Sequence, residues 1–127
     1  KDLIIIGGNN VFPEDVEAAA NRVSGVRPGR TVALGIEDAS IGTERLVIVA
    51  ELDGTRPPEE QESIERDVRQ AILTLTGVAP SAVFLVPANW IVKSTAGKIS
   101  RIETKSRLLS NWEELSTIAR ATFRPAN

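Results

Sequence analysis

Between Arg45 and Leu52 the chain reads Arg-Leu-Val-Ile-Val-Ala-Glu-Leu, a nearly continuous aliphatic run that constrains the fold more than any other stretch. A strand this apolar has to be covered. Thr31 to Glu37 supplies a neighbour, because Val32, Leu34 and Ile36 alternate onto one face. With Asp38-Ala39-Ser40-Ile41-Gly42-Thr43 between them, the two runs read as adjacent antiparallel strands. Aromatic residues make up only 4% of the chain, so the core is expected to be aliphatic and the strands covered by helices.

The remaining segments supply those helices. Leu3 to Ile6, Gly7-Gly8-Asn9-Asn10 and Val11-Phe12 read as a hairpin or tight loop. Pro13 then opens a helix with Glu14, Asp15 and Glu17 near its positive end, Val16, Ala19, Ala20 and Val23 on its apolar face, and Gly25 as its stop. Residues 53–58 form a loop. Ile64, Val68, Ala71, Ile72 and Leu75 mark a longer helix ended by Gly77. Ala82 to Val86 is a short buried strand. Beyond residue 98 come a helix with Ile102, Leu108 and Leu109 inward, then another with Trp112, Leu115 and Ile118 inward. For that last helix Asn111 and Glu114 are expected to form a capping box, and the tail from Arg124 is expected to be loose. The sum is an α+β domain of 127 residues: one small mixed sheet, a β-hairpin and about four helices.

Composition removes several chemistries. Without Cys or His, there is no disulfide, thiol nucleophile, histidine base or histidine metal site. Acids in a helix's first turn are ordinarily dipole partners, so Asp2, Asp15 and Glu17 are assigned no metal. No apolar run approaches the roughly 20 residues that span a bilayer, and no signal peptide is visible, so a cytoplasmic location is expected. The chain enters strand-like sequence directly from Lys1, which reads as a piece of a longer protein.

One window is built to deliver charge. Lys93, Lys98, Arg101, Lys105 and Arg107 stand against Glu103 alone, giving residues 93–107 a charge of +4 in a chain of net charge −2. An anionic visitor is expected, although charge runs are commonly no more than solvated surface. Ser94-Thr95-Ala96-Gly97-Lys98 has the small residues and lysine of a phosphate loop. It is nevertheless not a Walker A sequence, because Val92 and Ile99 replace the required Gly and Ser/Thr. What remains is a lysine beside a glycine hinge, able to reach an anion bound elsewhere.

Taken together, the two ends of the chain say more. Lys1-Asp2-Leu3-Ile4-Ile5-x-Gly7-Gly8-x-Asn10-x-x-Pro13-x-Asp15-Val16-Glu17 resembles the hinge and hairpin that open the C-terminal domain of the adenylate-forming enzymes. Lys93 to Arg101 resembles the closing Pro-Lys-Thr-x-x-Gly-Lys-x-x-Arg motif of that superfamily, which includes acyl-CoA synthetases, fatty acyl-AMP ligases and peptide-synthetase adenylation domains. Asn10, Pro13 to Glu17 and the Gly77 to Pro87 stretch resemble the fatty acyl-AMP ligases most.

The resemblance implies an enzyme that activates a fatty acid with ATP and Mg²⁺ to an acyl-adenylate and passes the acyl group to a thiol of coenzyme A or a carrier-protein pantetheine. It further implies that this chain is the C-terminal lid of such a ligase and that the large N-terminal domain binds most of the ATP. In that reading Lys98 is the adenylation lysine, supported by Lys93 and Arg101 on the basic loop. Lys1 and Asp2 form the hinge, and Gly7, Gly8, Asn9 and Asn10 form the acceptor-side hairpin. Val92 stands where the family carries Pro, so the loop is expected to be less rigid at its start. The alternative from another class is a stand-alone α+β domain whose basic edge holds an anion such as RNA, against which stand the negative net charge and the scarcity of aromatics.

Overall fold

The computed structural model describes residues 3–126. Its elements, in chain order, are β1 (Ile4–Ile6), β2 (Asn9–Val11), α1 (Pro13–Asn21), β3 (Val26–Glu37), β4 (Glu44–Leu52), α2 (Pro58–Thr76), β5 (Ala82–Val86), α3 (Arg101–Ser110) and α4 (Trp112–Ala119). The expected α+β order is reproduced. The expected hinge residues Lys1 and Asp2 lie outside the described residues.

β3, β4 and β5 form one sheet in that order, β3 antiparallel to β4 and β5 parallel to it. β4 is therefore central. Side chains alternate across it: Leu46, Ile48, Ala50 and Leu52 enter a core with α1 and α2, whereas Val47 and Val49 enter a second core with α3 and α4. That two-sided burial is why the run from Arg45 to Leu52 is continuous instead of alternating. The hairpin of β1 and β2 packs on the α1/α2 side through Ile4 and Val11. Its two-residue turn joins Ile6 to Asn9, and Gly7 and Gly8 take φ of +55° and +84°, a pair of left-handed residues that favours glycine. Asn9 and Asn10 belong to the strand that follows and are exposed.

The second core is less purely aliphatic than expected. Trp112 stacks between Phe84 and Phe123, with ring centroids 5.3 and 5.2 Å away, so three of the chain's few aromatics seal one end. Several helix faces also differ from the periodicity. Leu75 is 56% exposed, and Ile102, Leu109 and Ile118 are 80, 36 and 70% exposed because the residues that α3 and α4 bury are Thr104, Leu108 and Trp112. Nor is the tail loose. Ala39 N–H donates to Arg124 O at 2.9 Å, Ala126 N–H donates to Glu37 O at 2.7 Å, and Asp38 pairs with Pro125, so the last residues extend the sheet at the end of β3.

Phe84→Ala is expected to destabilise the chain by about 3–5 kcal/mol, because it removes a buried ring stacked on Trp112 and leaves a cavity. Leu75→Ala is expected to stay within about 0.5 kcal/mol. Urea midpoints of the two variants check the assignment, and equal midpoints would contradict it.

Candidate active site

The basic segment is not an open loop. Lys93 bridges Ile99, Ser100 N–H donates to Val92 O at 2.9 Å, Ser94 N–H donates to Lys98 O at 2.7 Å, and Gly97 N–H donates to Ser94 O at 2.9 Å. These bonds close a small hairpin with a turn at Ser94 to Gly97, and Gly97 takes φ of +81° as its left-handed residue. The glycine thus closes a turn and does not serve as a free hinge. Lys98 leaves this turn exposed, and among the described residues its ammonium has no ion-pair partner.

The hairpin is fastened at three points. On the β4 side, Glu51 is fully buried. It accepts from Arg30 Nε at 3.0 Å, from Arg30 Nη2 at 2.8 Å and from Ile91 N–H at 3.0 Å. Arg27 Nη1 lies 3.6 Å away. Burial pushes the Glu51 carboxyl up, but the Arg30 guanidinium and the backbone N–H groups of Ile91 and Asn89 outweigh burial and hold it below the usual carboxylate range. The paired Arg30 moves the other way, above its ordinary value, through the hydrogen bond to Glu51. This pair fixes the chain immediately before the hairpin.

On the α3 side, Val92 N–H donates to the buried Thr104 hydroxyl at 3.1 Å. A proline at position 92 has no such donor, so the valine is tied where looseness was expected. The third point is Ser100, which caps α3 by accepting from Glu103 N–H at 3.1 Å. Ser-x-x-Glu is a capping signal that was legible in the sequence. The capping box expected at Asn111 does not form. Its amide donates instead to Arg107 O at 2.8 Å, securing the end of α3.

The basic window divides into paired and exposed cations. The Arg101 guanidinium donates to both Glu17 oxygens, at 2.9 and 2.7 Å, and Arg107 donates to Trp90 O at 2.7 Å with its guanidinium 5.6 Å from the Trp90 ring centroid. Arg101 is therefore committed to Glu17, whereas Lys93 and Lys98 are exposed. Glu17 faces this arginine and the N–H of Ala33, at 2.9 Å, and not simply the helix dipole.

The hairpin of β1 and β2 borders a cleft of about 570 Å³ with Asn9, Asn10, Phe12 and Asp15 on one wall and Leu75 on the other. Phe12 and Leu75 are both more than half exposed. The two hairpins sit against opposite faces of the sheet, so Lys98 and Gly7 to Asn10 are not brought together. Among the described residues no group of three or more acids could hold a metal, and no helix is long and apolar enough to cross a membrane. An exposed lysine suits a phosphate.

No protein-family model matches the chain. It is 33% identical over 116 residues to the long-chain-fatty-acid–AMP ligase FadD26 of Mycobacterium marinum, a match covering 87% of this chain and 19% of that protein. Among solved structures, McyG A-PCP complexed with phenylalanyl-adenylate superposes with a TM-score of 0.77 at 27% identity, covering 95% of this chain and 18% of that one. A structure from studies of fatty acyl-adenylate ligases of E. coli and L. pneumophila gives 0.70 at 26% identity, covering 88% and 19%. The chain thus spans about a fifth of the length of the proteins it matches.

Two outcomes test the fastening of the hairpin. A group whose carboxyl is held low in the fold gives stability above its unfolded value, about 4.3 for Glu, and loses it as pH falls through the folded value. Glu51→Gln is expected to lower stability at pH 7 by about 3–5 kcal/mol, since it leaves Arg30 buried without its counter-charge, and to flatten the fall in stability below pH 5. Asp38, held low by Ser40 and Arg45, supplies the acid sensitivity that remains. Urea unfolding at pH 7 and 4 reads both. Val92→Pro is expected to cost about 1 kcal/mol in the same assay through the lost bond to Thr104, and a stabilised variant would show that bond to be immaterial.

Proposed function

The chain belongs to the adenylate-forming ligases and has the fold of their C-terminal domains, and from that premise we propose that it is the lid of a fatty-acid-activating ligase of the fatty acyl-AMP ligase type. The observation that carries the reading is Lys98: an exposed ammonium, without an ion-pair partner among the described residues, at a turn whose base is fastened to the sheet and to α3. In the first half-reaction a fatty-acid carboxylate oxygen attacks the α-phosphorus of ATP. An acyl-phosphate bond forms, and the bond to the β-phosphate breaks with loss of pyrophosphate. Two anions meet in that step, and an inserted ammonium offsets the charge that gathers on the α-phosphate and carboxylate oxygens.

Magnesium, which ordinarily accompanies ATP, finds no acidic cluster among the described residues. Its ligands are assigned to the larger domain, as are the adenine, ribose and acyl-chain contacts. In the second half-reaction a thiol attacks the acyl carbonyl and AMP leaves. The β1–β2 hairpin and its cleft are the part of this chain assigned to the acceptor's path, with rotation about Lys1 and Asp2 exchanging the two hairpins. The acceptor is a pantetheine thiol, of a carrier protein or of coenzyme A, and the reaction is placed in the cytoplasm. The acyl-CoA synthetase reading differs in this acceptor alone. An extended nucleic-acid surface is disfavoured because Arg101 and Arg107 are spent on Glu17 and Trp90.

Lys98→Ala in the full-length enzyme is expected to lower fatty-acid-dependent ATP–pyrophosphate exchange by about 10²–10³-fold. Exchange at the wild-type rate would overturn the assignment.

A further inference from the structure

The fork between Glu17 and Arg101 joins the two ends of the chain, 84 positions apart. Glu17 lies in α1, directly after the β1–β2 hairpin and on the α1/α2 side of the sheet. Arg101 is the first residue of α3, three positions after Lys98, on the other side. The bridge therefore passes round the β3 edge of the sheet, and Glu17 Oε2 also accepts from the N–H of Ala33 on that strand. Glu17 and Arg101 side chains are 14 and 24% exposed, so the pair is weakly screened. Two parallel N–H to oxygen bonds fix direction as well as distance, which a lysine at the same place would not do.

Resting on the reading of Lys98 given above, we propose that Glu17 is a positioning residue for adenylation: through Arg101 it aims the Lys98 hairpin and locks it in one rigid body with the acceptor-side hairpin. The hairpin's own bonds hold its shape, and the bonds of Ile91 and Val92 hold its first strand. Its second strand runs into α3, whose start is held by the bond of Ser100 to Val92 and whose first residue is tied to α1 by the fork. A small rotation at Arg101 is enough to carry the Lys98 ammonium off the α-phosphate, since a misplacement of about 1 Å costs on the order of 10²-fold in rate.

The test uses the full-length enzyme with Glu17→Gln, which keeps size and one acceptor but removes the charge. The kcat of pyrophosphate exchange is expected to fall about ten- to hundredfold with KM for ATP and fatty acid nearly unchanged. In a Lys98→Ala background the same substitution is expected to add almost nothing, because both act through one ammonium. Ile72→Val, a core change remote from the fork with a comparable loss of melting temperature, is expected to keep kcat. Wild-type kcat in Glu17→Gln, with Lys98→Ala inactive, would overturn the positioning role alone. Independent, additive losses would do the same, as would an equal kcat loss in Ile72→Val. Wild-type exchange in Lys98→Ala would instead remove the functional reading and the positioning role with it.

Discussion

A carboxylate sits near the C-terminal end of the central strand with no access to water, and the groups around it are arranged so that it can stay charged. Glu51 is bracketed by Arg30 and by the N–H of Ile91, and the segment around Ile91 has to lie against β4 for those bonds to exist. An apolar residue there could be equally stable, as buried pairs generally do not outperform packed hydrophobes. What the charge provides is a directional constraint. It specifies where the chain crosses after β5, and hence where the Lys98 hairpin begins.

The layers follow from the same strand. Burial on both faces of β4 demands helices on each side, and the chain meets that demand with α1 and α2 on one face and α3 and α4 on the other. The consequence for the site is that helices and hairpins are sorted in pairs. β1 and β2 lead into α1, and the Lys98 hairpin leads into α3, so each hairpin is held by the helix that follows it. The contact between the two halves at the β3 edge is ionic, through Glu17 and Arg101, where the sheet has an open margin that would otherwise leave the Ala33 N–H exposed for pairing.

Much of this was legible in the sequence. The aliphatic run of β4, the glycine pair at residues 7 and 8, and the cluster of bases around Lys98 each carry a local physical signal, and element order followed from them. The misses share a cause: they depend on partners distant in sequence. Nothing local distinguishes Arg101 from Lys93 as a free cation until Glu17 is seen beside it. Glu51 is a single acid in an apolar run, a signal of buried pairing that composition does not reveal, and its partner Arg30 precedes the expected strand. Ile102 and Ile118 satisfied helical periodicity yet face outward, because periodicity finds a stripe and cannot say whether a neighbour covers it. The Ser100 cap is different, since its Ser-x-x-Glu signal is local to the start of α3, whereas the similar signal at Asn111 fails because that amide is drawn back to the end of α3.

The two hairpins rest on opposite faces of a sheet three strands wide, within a body stiffened by the fork between α1 and α3. Ile4 and Val11 anchor one hairpin in the α1/α2 core and Ile99 anchors the other in the α3/α4 core, so the two are tied to different sides of the sheet. In a ligase that used them in turn, seating one would withdraw the other, so the two half-reactions would be mutually exclusive in time. The order of events would then be enforced by thickness, with a layer of sheet between the proposed adenylation lysine and the proposed acceptor-side hairpin.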